Sequence, residues 1–281
     1  MKISGKEISD RIDAETLKLV LSYCSSGRTL PKLVVIGLDI SESSKTFVKK
    51  KGEKAENLSI PFEFIDLDKE TGISEVLELI DKLNNDNSVG SIILQHPNSL
   101  TKLEERIALD RISYLKDVDC LSSTRIGMYT SDTTSDTLFP ATALAVRDVI
   151  LYSNTSVSGK TISVLGNSLI VGRPVSTMLS KMGATVITLN SHTLNISQYL
   201  NISDIIISAV GKKSLINSNV LNKRIELFID VGISYENNKI YGDGDREFIE
   251  RIADKYTPVP GGIGPINVSH IFLTHAKLST K

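Results

Sequence analysis

Tryptophan is absent from this 281-residue chain, and aromatic residues make up only 5% of it. Any core must therefore be aliphatic, which suits the Val/Ile/Leu-rich strands of parallel sheets covered on both faces. Cysteine is scarce as well: Cys24 and Cys120 make neither a disulfide framework nor a zinc set. No charge sign is in excess, with Lys+Arg 32 against Asp+Glu 33 and a formal net charge of −1. That balance leaves no electrostatic footprint for nucleic acid or an acidic membrane surface. No apolar run approaches the ~20 residues of a membrane span. The opening Met1-Lys2-Ile3-Ser4-Gly5-Lys6 lacks the apolar core of a secretion signal. No His/Cys/carboxylate cluster has metal-ligand spacing. The expectation is a cytoplasmic protein in a reducing setting, with no metal and no nucleic-acid or membrane partner.

What the chain does have is alternation of apolar runs and amphipathic segments. An amphipathic helix is expected from Ile8 to Tyr23, and a buried strand at Leu33-Val34-Val35-Ile36-Gly37-Leu38. A helix capped by Ser43 or Ser44 runs to about Leu58. A strand at Phe62–Ile65, a helix from Ile73 to Leu83 and a strand at Gly90–Leu94 follow. Such alternation implies a parallel sheet with helical crossovers. The stretch from Asp110 to Phe139 is rich in Ser, Thr and Asp, shows no periodicity and reads as loop. Beyond it come a helix from about Thr142, with Thr142 as its N-cap, to Tyr152, and strands at 161–165, 184–189, 205–209 and 227–231. The fold class is α/β with two lobes, the second Rossmann-like.

The densest signal is Gly166-Asn167-Ser168-Leu169-Ile170-Val171-Gly172-Arg173-Pro174, set between an apolar strand and an amphipathic segment, Val175 to Met182. A strand, a glycine turn and a helix in that order form a phosphate pocket. The glycines admit the ligand's backbone approach, and the helix N-terminus supplies free N–H groups and a positive dipole end. The spacing is GxSxxVG rather than GxGxxG, and on glycines alone a packing turn that binds nothing stays open.

Further blocks resolve it. Thr257-Pro258-Val259-Pro260-Gly261-Gly262-Ile263-Gly264-Pro265 resembles a signature of the methylenetetrahydrofolate dehydrogenase/cyclohydrolase family. Lys116-Asp117-Val118-Asp119, the GxSxxVGRP turn, Ala209-Val210-Gly211-Lys212 and Asp230-Val231-Gly232-Ile233 are similar to its other blocks and stand in the same order. Ile3-Ser4-Gly5-Lys6 resembles its start, so the resemblance covers essentially the whole chain.

That resemblance implies a folate-binding catalytic domain at 1–140, completed by a C-terminal helix at 265–281, a Rossmann-like NAD(P)-binding domain at 141–264, and a cleft between them. It implies a cytoplasmic homodimer that oxidises methylenetetrahydrofolate by hydride transfer to NADP and then hydrolyses the methenyl product to formyltetrahydrofolate. A dehydrogenase with weak cyclohydrolase activity and a non-catalytic pterin- or nucleotide-binding relative are the alternatives. Ser44-Lys45-Thr46-Phe47-Val48-Lys49-Lys50-Lys51 is similar to the family's SxxYVxxK block, which makes Lys51 the catalytic lysine. Read without it, Lys45, Lys49, Lys50, Lys51 and Lys54 are a solvated basic face. Gly52 hints at a close approach beside the lysine.

Phe47 stands at the family's Tyr, keeping a ring for the pterin or aminobenzoate but losing the hydroxyl. Gln95 matches the glutamine that orients the lysine, and His96 after it is a local substitution. Asp119 matches the carboxylate that holds the pterin; the following family Gly is Cys120 here. Pro260 and Gly261 complete the substrate-binding set. Gly166, Asn167, Ser168, Val171, Gly172, Ser191, Val210, Gly211 and Ile233 fall at cofactor positions. Asn167 and His192 replace basic residues that favour the NADP 2′-phosphate, yet no acidic residue ends the second strand as in NAD enzymes. NADP is the expected cofactor, with NAD possible.

Overall fold

A computed structural model describes residues 1–131, 138–237 and 239–280. The chain forms two compact units, Ile12–Phe139 with Val268–Lys281, and Met1–Arg11 with Pro140–Asn267. The unit boundaries fall inside two helices, Gly5–Ser25 and Ile263–Ser279.

The first of these units is built on a three-stranded parallel sheet, β1 (Lys32–Leu38), β2 (Phe62–Leu67) and β3 (Val89–Leu94), in the order β2-β1-β3. Leu33 to Ile36 of the central strand are wholly buried, as both faces of a crossover sheet require. Helices Ile73–Asn85 and Lys102–Arg111 cover one face through Val76, Ile80, Leu83, Ala108 and Leu109, packed on Val34, Ile36, Ile92 and Leu94. The C-terminal segment belongs here as well. His275 Nδ1 lies 2.9 Å from Ser91 Oγ, and a Cβ at Gly90 would meet the His275 ring at 3.1 Å.

The other unit holds a five-stranded parallel sheet. Its strands are β4 (Thr161–Leu165), β5 (Thr185–Leu189), β6 (Ile205–Ser208), β7 (Ile225–Asp230) and, after the hairpin β8 (Ser234–Glu236) and β9 (Lys239–Tyr241), β10 (Ala253–Tyr256). The order is β10-β7-β6-β4-β5. The strand order reverses between β4 and β6, and ligands of open α/β sheets bind outside the carboxyl ends of strands at such a switch point. The N-terminus pairs with this unit: Ile3 N donates to Tyr256 O at 2.8 Å and Tyr256 N to Met1 O at 3.0 Å. Residues 1–11 therefore pack with the dinucleotide-type sheet, not with the lobe to which residues 1–140 were assigned as a block.

Local expectations needed three further corrections. Ser41, not Ser44, caps helix Glu42–Asn57, accepting from Ser44 N; the side chain of Ser43 lies outside the described residues. Thr142 lies inside helix Ala141–Tyr152, whose N-cap is Pro140, and its hydroxyl accepts from Asn267 Nδ2 instead. Part of the expected loop at 110–139 is the helix Ser123–Ser131, with Arg125 and Tyr129 buried four residues apart on one face; 132–137 lie outside the described residues.

Candidate active site and dinucleotide cradle

Lys51 is placed by the stripe it sits on. Helix Glu42–Asn57 buries Ser44, Val48, Lys51 and Ala55, spaced by four, three and four, so the lysine occupies a core-facing position among small and apolar neighbours. It is 9% exposed, while Lys49 and Lys50 on the same helix are exposed. The basic-face reading therefore holds for Lys49 and Lys50 and fails for Lys51, while Lys54 is half-buried and ion-paired with Asp13. Burial holds its ammonium below the ordinary lysine value, with the charge of Asp119 opposing that shift. Gly52 admits no close approach: a Cβ there would make ordinary contact with the Phe62 ring at 3.6 Å.

Gln95 follows the end of β3, and its backbone N donates to Ile36 O at 2.8 Å, which extends the sheet ladder to this residue. Its side chain is held at both ends. Oε1 accepts from Lys51 Nζ at 2.8 Å and Nε2 donates to His96 O at 2.7 Å. The lysine is thus fixed by an amide that cannot take its proton.

The Lys116–Asp119 block divides into structural and site residues. Lys116 Nζ donates to Leu83 O and Asp86 O, both at 2.8 Å, and closes the end of helix Ile73–Asn85. Asp117 is buried and accepts from Leu121 N and Ser122 N, before helix Ser123–Ser131. Asp119 is the remaining carboxylate of the block. It is partly buried, and burial raises its carboxyl above the usual range while the nearby Lys51 charge lowers it. Cys120 takes a φ of +56°, the left-handed region that glycine occupies at least cost, which accounts for glycine at the matching family position. Phe47 is half-buried one helical turn before Lys51, with Lys50 Nζ 5.7 Å from its ring centre. His96 is held by Glu105, its Nδ1 lying 2.9 Å from Oε1.

In the other unit, the glycine turn lies at the switch point. Gly166 has a φ of +101°, and a Cβ there would meet Ala209 O, after β6, at 2.4 Å. A Cβ at Gly172 would meet Gly166 O at 1.9 Å, so the helix Gly172–Lys181 starts directly against the turn. Ser168 Oγ accepts from Val171 N at 3.2 Å, which ties the turn to the helix entry. Asn167 and Ser168 are exposed, as are Ser191 after β5 and Gly211 after β6; Val210 and Ile233 are 46% and 41% exposed. Large apolar side chains left open beside a glycine-lined helix N-terminus suit the flat faces of a nucleotide, and the cradle suits its pyrophosphate.

Pro260 and Gly261 are exposed in this same unit. Gly261 O accepts from Gly5 N at 2.9 Å, and a Cβ at Gly5 would meet Gly262 O at 1.8 Å, so the Ile3–Lys6 start and the Thr257–Pro265 turn are one local structure. Lys51, Gln95, Asp119 and Phe47 lie together in the lysine unit, and Pro260 and Gly261 do not belong to it.

Two residues of consequence were missed in the sequence. Asp243 is wholly buried and accepts from Ser208 Oγ (2.6 Å), Val210 N (2.8 Å) and Lys212 N (2.7 Å). Glu105, which holds His96, sits in a charged helix that offers no motif. The available signal for Asp243 was its place between two glycines, Gly242 and Gly244.

Comparison with known proteins gives a consistent result. The family model described as tetrahydrofolate dehydrogenase/cyclohydrolase, catalytic domain, matches residues 3–119, and that described as the NAD(P)-binding domain matches residues 140–280. The chain is 34% identical to the bifunctional protein FolD of Staphylococcus haemolyticus over 270 residues, 96% of this chain and 93% of the relative. It resembles the crystal structure of the bifunctional FolD dehydrogenase/cyclohydrolase of Campylobacter jejuni, with a TM-score of 0.93, 31% identity and coverage of 99% and 98%. The Trypanosoma brucei dehydrogenase-cyclohydrolase, solved with NADP and an inhibitor, superimposes with a TM-score of 0.91 at 27% identity, covering 100% of this chain and 97% of that one.

Proposed function

The chain belongs to the tetrahydrofolate dehydrogenase/cyclohydrolase family, and from that footing we propose that it oxidises methylenetetrahydrofolate with NADP and hydrolyses the methenyl product to formyltetrahydrofolate. The observation that carries the reading is Lys51: a lysine buried on a helix stripe, held by Gln95 and kept below its ordinary proton affinity. When bound, NADP accepts the hydride from the methylene carbon. The residues Gly166, Asn167, Ser168, Val171 and Gly172 would hold its pyrophosphate and ribose, Ser191 a phosphate, and Val210, Gly211 and Ile233 its flat faces.

Hydrolysis needs a base for the water that attacks the methenyl carbon. Neutral Lys51 is suited to take that proton, because burial favours its uncharged form. Gln95 accepts one N–H hydrogen of Lys51 and holds the nitrogen in place. Asp119 would pair with the amino-pyrimidine edge of the pterin, and its charge stabilises the positive charge that Lys51 acquires with the proton. Phe47 would stack on the pterin or aminobenzoate, with Pro260 and Gly261 as further substrate contacts. A homodimer in the cytoplasm is the assembly expected of this family. Among the described residues, no helix is long and apolar enough to cross a membrane.

Phe47 favours a second reading, a dehydrogenase with slow hydrolysis, since it brings no hydroxyl to the proton path. One experiment addresses both. Methenyltetrahydrofolate is supplied directly, without cofactor, to the wild type, Lys51→Met and Phe47→Tyr. Lys51→Met is expected to lose about a hundredfold or more in hydrolysis, the scale of one acid–base group, while Phe47→Tyr speeds it if the missing hydroxyl limits the step. Wild-type hydrolysis in Lys51→Met would remove the lysine from the mechanism.

A further inference from the structure

The loops after β7 and β9 are locked by a pair of buried carboxylates, each occupying space left by a glycine in the other loop. A Cβ at Gly232, after β7, would meet the Asp243 carboxylate at 2.1 Å, and a Cβ at Gly242 would meet Asp230 Oδ2 at 2.2 Å. Asp230 accepts from Gly232 N (3.1 Å), Asp243 N (3.1 Å) and Gly244 N (2.9 Å). Asp243 in turn takes the Ser208 hydroxyl at the end of β6 and the N–H groups of Val210 and Lys212. Asp230 therefore fixes the segment that carries Asp243, and Asp243 fixes the post-β6 loop.

That loop is the one against which Gly166 packs, through Ala209 O. Its residues Val210 and Gly211 are exposed beside the cradle, on a backbone that has no helix or strand to hold it. Without a partner at their own N–H groups, Val210 and Lys212 would be free to turn. Charge-assisted hydrogen bonds to a carboxylate out of water are the stronger class, and a donor left without one inside costs more than the bond returns. The site is dry enough that burial pushes Asp230 up to about 7.

We propose that Asp243, seated by Asp230 and the paired glycines Gly232 and Gly242, is the positioning residue that presents the Val210–Gly211 loop to the dinucleotide. The inference rests on the dinucleotide function proposed above. Asp243 itself is wholly enclosed, so it acts through the loop backbone. An Asn in its place puts an N–H among donors, so at least one of the three bonds is lost.

The test is a titration of wild type, Asp243→Asn and Ser208→Ala with NADP and with NAD, without folate, beside amide hydrogen exchange on the cofactor-free proteins. Asp243→Asn is expected to weaken dinucleotide binding about tenfold or more and to speed exchange at Val210 and Lys212; in a separate turnover assay with methylenetetrahydrofolate it raises KM for the cofactor with little change in kcat at saturation. Ser208→Ala removes one donor from the same carboxylate. It is expected to move binding and exchange in the same direction by a smaller factor, and it carries the test if Asp243→Asn does not fold. Unchanged binding and exchange in the folded variant overturn this role alone. Failure of the wild type to bind either nucleotide overturns the dinucleotide reading and this role with it.

Discussion

In the proposed reaction Lys51 carries the proton transfer, and its behaviour follows from where the helix turns it. Lys45 pairs with Asp66 across 3.0 Å at the surface and is raised by that contact. Lys51, six residues on, is buried and lowered. Opposite shifts on one helix arise from different faces, and composition alone cannot distinguish them. The buried stripe at Ser44, Val48, Lys51 and Ala55 was readable in principle, whereas the density of lysines around it hid the pattern, and the family block was what singled Lys51 out. Asp243 offered no comparable cue, because its partners, the Ser208 hydroxyl and the N–H groups of Val210 and Lys212, all lie more than thirty positions away. The pH response follows from the same contacts. With neutral Lys51 as the proposed base for hydrolysis, the rate should climb with pH through the lysine's lowered pKa. Asp119 opposes that lowering. Asp119→Asn should therefore move the midpoint of the rising limb further down, measured as kcat at saturating methenyl substrate; a midpoint moved upward would mean that another group controls the limb.

Among the elements, those with a long apolar run were legible and those stabilised by tertiary contacts were not. Strands β1, β3, β4, β6 and β7 are almost wholly buried and read as apolar runs. Helix Ser123–Ser131 has a polar-looking sequence, held by Asp117 before its first turn and by the burial of Arg125 and Tyr129. β10, Ala253–Tyr256, carries two charged residues and is defined by its pairing with β7 and the N-terminus. The glycine turn was legible as a motif, and its geometry supplies a sharper test. Gly172→Ala places a Cβ 1.9 Å from Gly166 O, so the turn or the helix must shift. The expected cost is about 1–3 kcal/mol of stability, with NADP binding weakened in step. A denaturant melt and a nucleotide titration check both, and an alanine variant with wild-type values in each would show that the contact can relax.

At the scale of the whole molecule, two parallel sheets of unequal size divide the work. The three-stranded sheet carries Gln95 just beyond β3 and supports the helix of Lys51. The five-stranded sheet carries the cradle at its point of strand reversal. The alternation of strand and helix announced both units, and the departure lay at the ends of the chain. Residues 1–3 pair alongside β10, and Gly5 packs against the Thr257–Pro265 turn, so the opening residues serve the dinucleotide-type unit. Nothing in the local sequence of Met1–Lys6 reports which unit it joins, because its partners lie some 250 residues away.

The whole chain is tested most directly by turnover of methylenetetrahydrofolate with NADP and, separately, with NAD, following reduced cofactor and methenyl product independently. Reduction of NADP in preference to NAD, with a methenyl pool that drains into formyltetrahydrofolate, is the expected outcome. No reduction of either cofactor by folded protein would refute the folate-enzyme assignment.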